Sequence, residues 1–394
     1  MFKHLLQLSA RFPALRFAGL ALLCTALLWL DRAPRAPEPA PASSLWPTAL
    51  KAAPQAAWVM QQQGRIPMPA DTPAAHASSL LAMPSAHPAA LLAFWFAGSR
   101  ESAADVQIAA AQFERATQQW SAARFVVNRE DIAGQLGYGV RRLGNPVAWR
   151  DAQSRLHLFV VGTGWGGWAA ARIVHLRQIQ PTQDFAALRF EVQRVLPLSW
   201  WWNISSLVRT APLPLVDGGM VLPAYFELGI KYPLALRFDA AGEFLGLVRI
   251  SRRTHVLQPT LLMRSQTHWL ALMRDQRPEG KVGVAQTVDG GQTWIDLPDL
   301  PLHNPDSSVA ALGLTPDLMF LAHNPLPKTR TRLDLSASSD AQNWLKIATP
   351  AQGSALDEYS YPALAWADDS LWLSYTDQRR SIAWQRFSLV TPTR

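Results

Sequence analysis

The chain has 394 residues, 49% hydrophobic and 17% charged, enough for a sizeable core and too apolar for intrinsic disorder. Lys+Arg 37 against Asp+Glu 29 give a net charge of +8, but the basic residues, mostly Arg, are scattered, with no cationic run of the kind that grips nucleic-acid phosphates. A single Cys excludes an intrachain disulfide framework, 30 Pro disfavour long helices, and 17 Trp against 6 Tyr suggest rings half-buried on sheets or in clefts.

At the N-terminus, Lys3, Arg11 and Arg16 precede an uncharged apolar run over residues 17–30. That run is shorter than the roughly 20 residues of a spanning helix. No small-x-small site follows it directly, because Asp31 and Arg32 come next and the nearest candidate is Ala40-Pro41-Ala42. An uncleaved signal anchor over residues 1–30 is therefore expected ahead of a cleaved signal peptide. Residues 31–57 are rich in Pro and Ala and read as a semi-extended spacer that holds a soluble body away from the membrane.

The body, residues 58–394, reads as repeated short strands: apolar runs near Leu91, Leu156, Val282, Met319 and Leu371 alternate with Gly, Pro, Asp or Asn. Residues 101–120 are dense in Ala and fit a helix or equally a strand and a turn. Two turns resemble each other. Thr287-Val288-Asp289-Gly290-Gly291-Gln292-Thr293-Trp294 is followed about 50 residues on by Ser338-Ser339-Asp340-Ala341-Gln342-Asn343-Trp344. In each, the Asp can accept turn N–H groups and the Trp can pack beneath; in the first, Gly permits positive φ. A period near 50 residues implies about four strands per unit and about six units, an all-β, six-bladed propeller.

The first of these turns is similar to the Asp-box of sialidases and related bacterial neuraminidase repeat proteins, with Asp289, Gly291 and Trp294 in the pattern. The second copy, with Asp340 and Trp344, is degenerate. The resemblance extends through ordered segments from His76 to Glu358 and covers about residues 75–388. It implies a sialidase-type propeller; with the N-terminal anchor ahead of it, the body is expected in the bacterial cell envelope, in the periplasm or outside the cell, held at the inner membrane. It also implies an exo-glycosidase with an acidic glycan or glycoconjugate as partner, and the scattered charge noted above points to no nucleic acid.

Carried over position by position, the family's Tyr nucleophile falls on Tyr361, with Tyr359 as competitor on the same strand face. Its Glu partner falls on Glu227 and its acid/base on Asp105. Two of the three substrate-binding Arg fall on Arg274 and Arg330, with Arg332 competing for the latter. His76 stands where the first Arg is expected, and Arg100 can supply a cation from the neighbouring strand end. A neutral phenol activated by Glu approaches an anionic sugar without carboxylate repulsion, and Arg forks suit its carboxylate. No cofactor or metal is expected, since no His/Cys/Asp cluster has ligand spacing. The departure at His76, the decayed second Asp-box and the Trp surplus support an alternative, a non-catalytic propeller that binds glycan or a protein partner. Basic patches meeting an acidic partner in an assembly role are a third reading. The cluster Trp200-Trp201-Trp202 fits packing between blades or stacking on sugar. The run from Gly162 to Gly167 lacks the helix and Lys of a phosphate loop.

Overall fold

The computed structural model describes residues 13–31, 37–38, 41–42, 57–201 and 203–389. Within these residues, six antiparallel sheets form in succession. They span residues 74–127, 142–195, 206–249, 256–297, 310–352 and 359–389 and are numbered here as blades one to six. The innermost strands of successive blades pack against one another around the centre, and blade six closes on blade one.

Closure uses both ends of the body. The strand Trp58–Arg65 pairs antiparallel with Ser381–Leu389 as the outer strand of blade six. Trp58 is buried there, edge-on to Phe320 with centroids 4.9 Å apart. Central strands such as Ala89–Gly98 and Ser370–Asp377 are buried along their whole length because each blade is covered on both faces. That is why they read as continuous apolar runs rather than alternating ones. Trp95, Trp269 and Trp372 are fully buried, so part of the Trp excess is core rather than the half-exposed surface inferred from composition.

Residues 101–120 resolve as a turn followed by the strand Gln107–Glu114, not as a helix. A short helix, Arg129–Leu136, sits between blades one and two. Asn128 caps it by accepting from the Asp131 N–H, and Gly137 ends it at φ 73°.

Both Asp-box turns share one hydrogen-bond plan. Thr287 Oγ1 donates to Asp289 at 2.7 Å, and Asp289 accepts from the Thr293 N–H at 2.9 Å. Ser338 Oγ donates to Asp340 at 3.0 Å, and Asp340 accepts from the Asn343 N–H at 2.8 Å. Each Trp indole donates to a turn carbonyl: Trp294 to Gly291 at 3.2 Å and Trp344 to Ala341 at 3.1 Å. The second turn has decayed in sequence and kept its geometry.

The Pro/Ala-rich segment departs from a free spacer at the points described. The Ala42 N–H donates to the Gln266 carbonyl at 2.7 Å, the Pro41 carbonyl accepts from the Val216 N–H at 2.9 Å, and Ala42 is fully buried against blades three and four. Backbone groups that a spacer would leave to water are paired with the body instead. The N-terminal helix, Pro13–Asp31, carries exposed Phe17, Leu22 and Trp29. Among the described residues no helix is long and apolar enough to cross a membrane.

Candidate active site

Four inner strands break register near their starts, between His76 and Ser79, Gly144 and Val147, Leu257 and Thr260, and Ser360 and Ala363. At each break one residue adopts positive φ: Ala77 at 55°, Asn145 at 23°, Gln258 at 49° and Tyr361 at 54°. Three of these precede proline (Pro146, Pro259 and Pro362), which has no N–H to lose where a ladder is interrupted. Bulky residues rarely hold this conformation, and such outliers concentrate at functional sites. The bulges re-aim Gln258 and Tyr361 so that both meet Arg274.

Arg274, on the strand Trp269–Asp275, is the hub. Its Nε donates to Asp306 Oδ1 at 2.7 Å, and its Nη1 donates to Gln258 Oε1 at 3.1 Å and Tyr361 Oη at 3.4 Å. Gln258 Nε2 in turn donates to Tyr225 Oη at 3.1 Å. Burial opposes the Arg274 charge, but Tyr361, Asp306 and Tyr225 outweigh it and hold the guanidinium protonated. Burial and the neighbouring Glu227 push the Tyr225 phenol up, so it stays neutral. Glu227, two residues on, is half-buried. Burial raises its carboxyl above the usual range, opposed by Arg274 and Lys231.

A second ion-pair chain joins the first at Asp306. Arg330 donates to the Asp306 carbonyl and to Glu358 Oε1, the latter at 3.1 Å. Arg379 donates through Nε to Glu358 at 2.9 Å and also reaches Glu101. Burial opposes the Glu358 charge, yet Arg379, Ser360 and Arg330 hold its pKa near 2.

Of the residues singled out from sequence, Arg274, Arg330, Glu227 and Tyr361 therefore share one neighbourhood. Arg332 is instead engaged by Asp334 at 2.8 Å through two nitrogens, which favours Arg330. Tyr359 does not share the face of Tyr361. The intervening bulge breaks the alternation, and Tyr359 packs edge-on to Tyr375 in the core between blades five and six. His76 is 2% exposed, its ring 4.3 Å from that of Tyr361, and neither ring nitrogen has a hydrogen-bond partner. Burial, with Arg379 nearby, lowers its pKa to about 3, so it supplies no cation at neutral pH. Asp105 is exposed and accepts from Ser99 N and Oγ at 3.0 and 2.9 Å, capping its own turn. Arg100 is exposed on that turn, and no contact of the cluster among the described residues involves it.

Sequence reasoning missed Tyr225, Gln258, Asp306, Glu358, Arg379 and the buried Arg209. Tyr225 and Glu358 lie two and three residues before Glu227 and Tyr361, and the recurring residue-before-Pro at 145, 258 and 361 could have pointed to Gln258. Arg379 and Arg209 carry no local signal. Trp200 and Trp201 are about half exposed, edge-on at 5.5 Å, and Trp202 lies outside the described residues. Among the described residues no His/Cys/Asp/Glu group could hold a metal ion.

The family model described as "BNR repeat-like domain" matches residues 89–373. The chain belongs to the BNR repeat-like family. Among solved structures this BNR repeat-like chain is similar to a Hadza microbial sialidase, Hz136 (TM-score 0.62, 16% identity, covering 80% of this chain and 66% of that one). It is similar also to a protein of unknown function from Dyadobacter fermentans (0.66, 10%, 84% and 99%) and to Trypanosoma rangeli sialidase in complex with the inhibitor DANA (0.63, 13%, 85% and 60%). At these identities the likeness establishes the fold. The chain spans 66% of the length of the first sialidase and 60% of the second. No curated protein matches it.

Proposed function

We propose that this protein is a sialidase-type exo-glycosidase acting on acidic sugars. The observation that carries the reading is the meeting of Arg274 Nη1 with Tyr361 Oη at 3.4 Å, beside the raised-pKa carboxyl of Glu227. Arg274 and Arg330 bind the sugar carboxylate, exchanging their present carboxylate partners for it. Glu227 takes the Tyr361 proton. The phenolate forms a bond to the anomeric carbon as the glycosidic bond breaks, and Asp105 protonates the leaving oxygen. Water then displaces Tyr361, giving its proton to Asp105, and Glu227 returns its proton to the departing Tyr361 phenolate. Positive φ at Tyr361 sets the backbone from which the nucleophile projects toward Arg274.

The test is release of fluorophore from an aryl sialoside by the full-length protein. Tyr361→Phe abolishes release while Tyr359→Phe retains it, and turnover that survives Tyr361→Phe overturns the mechanism. A second reading, a glycan-binding propeller without turnover, is favoured by the neutral His76 and by the carboxylate partners of Arg274, Arg330 and Arg379. It predicts saturable binding with no hydrolysis across a panel of acidic glycosides.

The N-terminal segment anchors this body in the bacterial envelope at the inner membrane. The exposed apolar side chains of the Pro13–Asp31 helix support that placement. Alkaline carbonate extraction of membranes leaves the protein in the pellet. Recovery in the supernatant overturns the anchor.

A further inference from the structure

The Gly162-Thr163-Gly164-Trp165-Gly166-Gly167 loop in blade two takes no part in the cluster around Arg274. It forms a wall of a separate cavity of about 280 Å³, close to the low end of small-molecule pockets, roughly 300 Å³. Tyr138 and Gly139, just past the Arg129–Leu136 helix, and Arg172 also line it. Thr163 pairs with Arg142 at the start of the inner strand, so the cavity opens on the face where His76 and Tyr361 begin theirs. Trp168 Nε1 donates to Ser102 Oγ at 3.1 Å, which ties this loop to the turn whose Glu101 reaches Arg379.

Three observations mark it as a ligand site. Trp165 is 84% exposed and Tyr138 43%, so both rings keep aromatic surface open to a ligand beside the Arg contacts they already make. Thr163 is 1% exposed, lines the cavity, and its hydroxyl has no hydrogen-bond partner. The lining includes the Arg172 guanidinium and no carboxylate, whereas Arg274, Arg330 and Arg379 at the centre are each paired with an acid. Arg141 lies over the Trp165 ring at 3.9 Å and Arg172 near the Tyr138 ring at 5.7 Å, which keeps two cations at the rim.

We propose that this cavity is a carbohydrate-binding site in its own right, which takes a carboxylated sugar residue. The sugar face stacks on Trp165 and Tyr138, and its carboxylate pairs with Arg172. The proposal extends the acidic-glycan reading above to a second position on the same glycan, and its test does not require turnover.

The experiment follows the indole N–H resonance of Trp165, identified by its absence in Trp165→Phe, in the full chain carrying Tyr361→Phe. The probes are sialyllactose, trigalacturonate and uncharged lactose. A saturable shift of this resonance with either carboxylated sugar, and at least about tenfold weaker response to lactose, supports the site. Arg172→Gln then reduces that preference to about twofold or less, with the unfolding midpoint unchanged. A Trp165 resonance that ignores both carboxylated sugars, or that responds equally to lactose, overturns it. Absence of hydrolysis by the wild-type chain bears on the central site alone and leaves this outcome readable.

Discussion

The guanidinium of Arg209 holds the backbone of Tyr361. Its Nη2 donates to the carbonyls of Tyr361 and, at 2.8 Å, Pro362, and its Nη1 donates to the Ser78 carbonyl at 3.0 Å. The same group lies 5.2 Å from the centroid of the Tyr361 ring. One buried side chain thus clamps the bulges of blades one and six, where Ala77 and Tyr361 hold positive φ.

Removing that clamp has a predictable cost. Arg209→Met leaves buried carbonyls without donors, at about 1–3 kcal/mol for each unmet group. Urea denaturation is expected to show a loss of at least about 2 kcal/mol. Arg209→Lys is expected to recover only part of it, because an ammonium cannot reproduce the planar fork. A Met variant as stable as the wild type would remove the clamp from the account.

The role given to Asp105 predicts dependence on the leaving group. An aryloxide leaves with little protonation, whereas a sugar hydroxyl needs a general acid, worth about 10²–10⁴-fold. Asp105→Ala is therefore expected to retain most activity on an aryl sialoside and to lose about a hundredfold or more on sialyllactose. Equal losses on both substrates would return Asp105 to its turn-capping contacts with Ser99.

Acid should destabilise the fold through its buried histidines. The pKa of His76 falls from 6.5 to about 3, mainly through burial, so between those values the unfolded chain binds a proton that the native one refuses. Stability is therefore lost as pH falls from 6.5 toward 3, at up to about 1.4 kcal/mol per pH unit for one group. His323, held near 4 by burial, acts in the same direction. His76→Phe should stack between Phe96 and Tyr361, remove two unpartnered nitrogens and flatten this pH dependence. Melting curves from pH 7 to 4 test it, and an unchanged slope would show that His76 does not contribute.

The two Asp-boxes predict opposite responses at matched positions. A Cβ on Gly291, at φ 90°, meets the Trp269 ring at 2.7 Å, so Gly291→Ala should cost more than about 2 kcal/mol. Ala341 already sits at φ 62° in the shortened turn. Ala341→Gly relieves that backbone at the expense of unfolded-state entropy and should be neutral or stabilising by up to about 1 kcal/mol. Thermal unfolding of the two variants checks the contrast.

The sequence by itself determined the repeat. Asp289 with Trp294 and Asp340 with Trp344 are local turns whose partners lie within a few residues, so their spacing gave six blades without tertiary knowledge. It also picked out Tyr361, Arg274, Arg330 and Glu227, because each lies in a short segment with recognisable neighbours. What only the tertiary structure decided is the environment of those groups. A bulge, not strand alternation, separates Tyr359 from Tyr361. Burial makes His76 a neutral ring rather than a cation. Arg209 and Arg379 reach the site from far along the chain, and Pro41 and Ala42 were legible only as Pro/Ala composition until Ala42 met Gln266. The physical reason is common to all of these. Charge state and side-chain direction depend on desolvation and on partners brought together by closing the propeller, and neither is encoded within a local window of sequence.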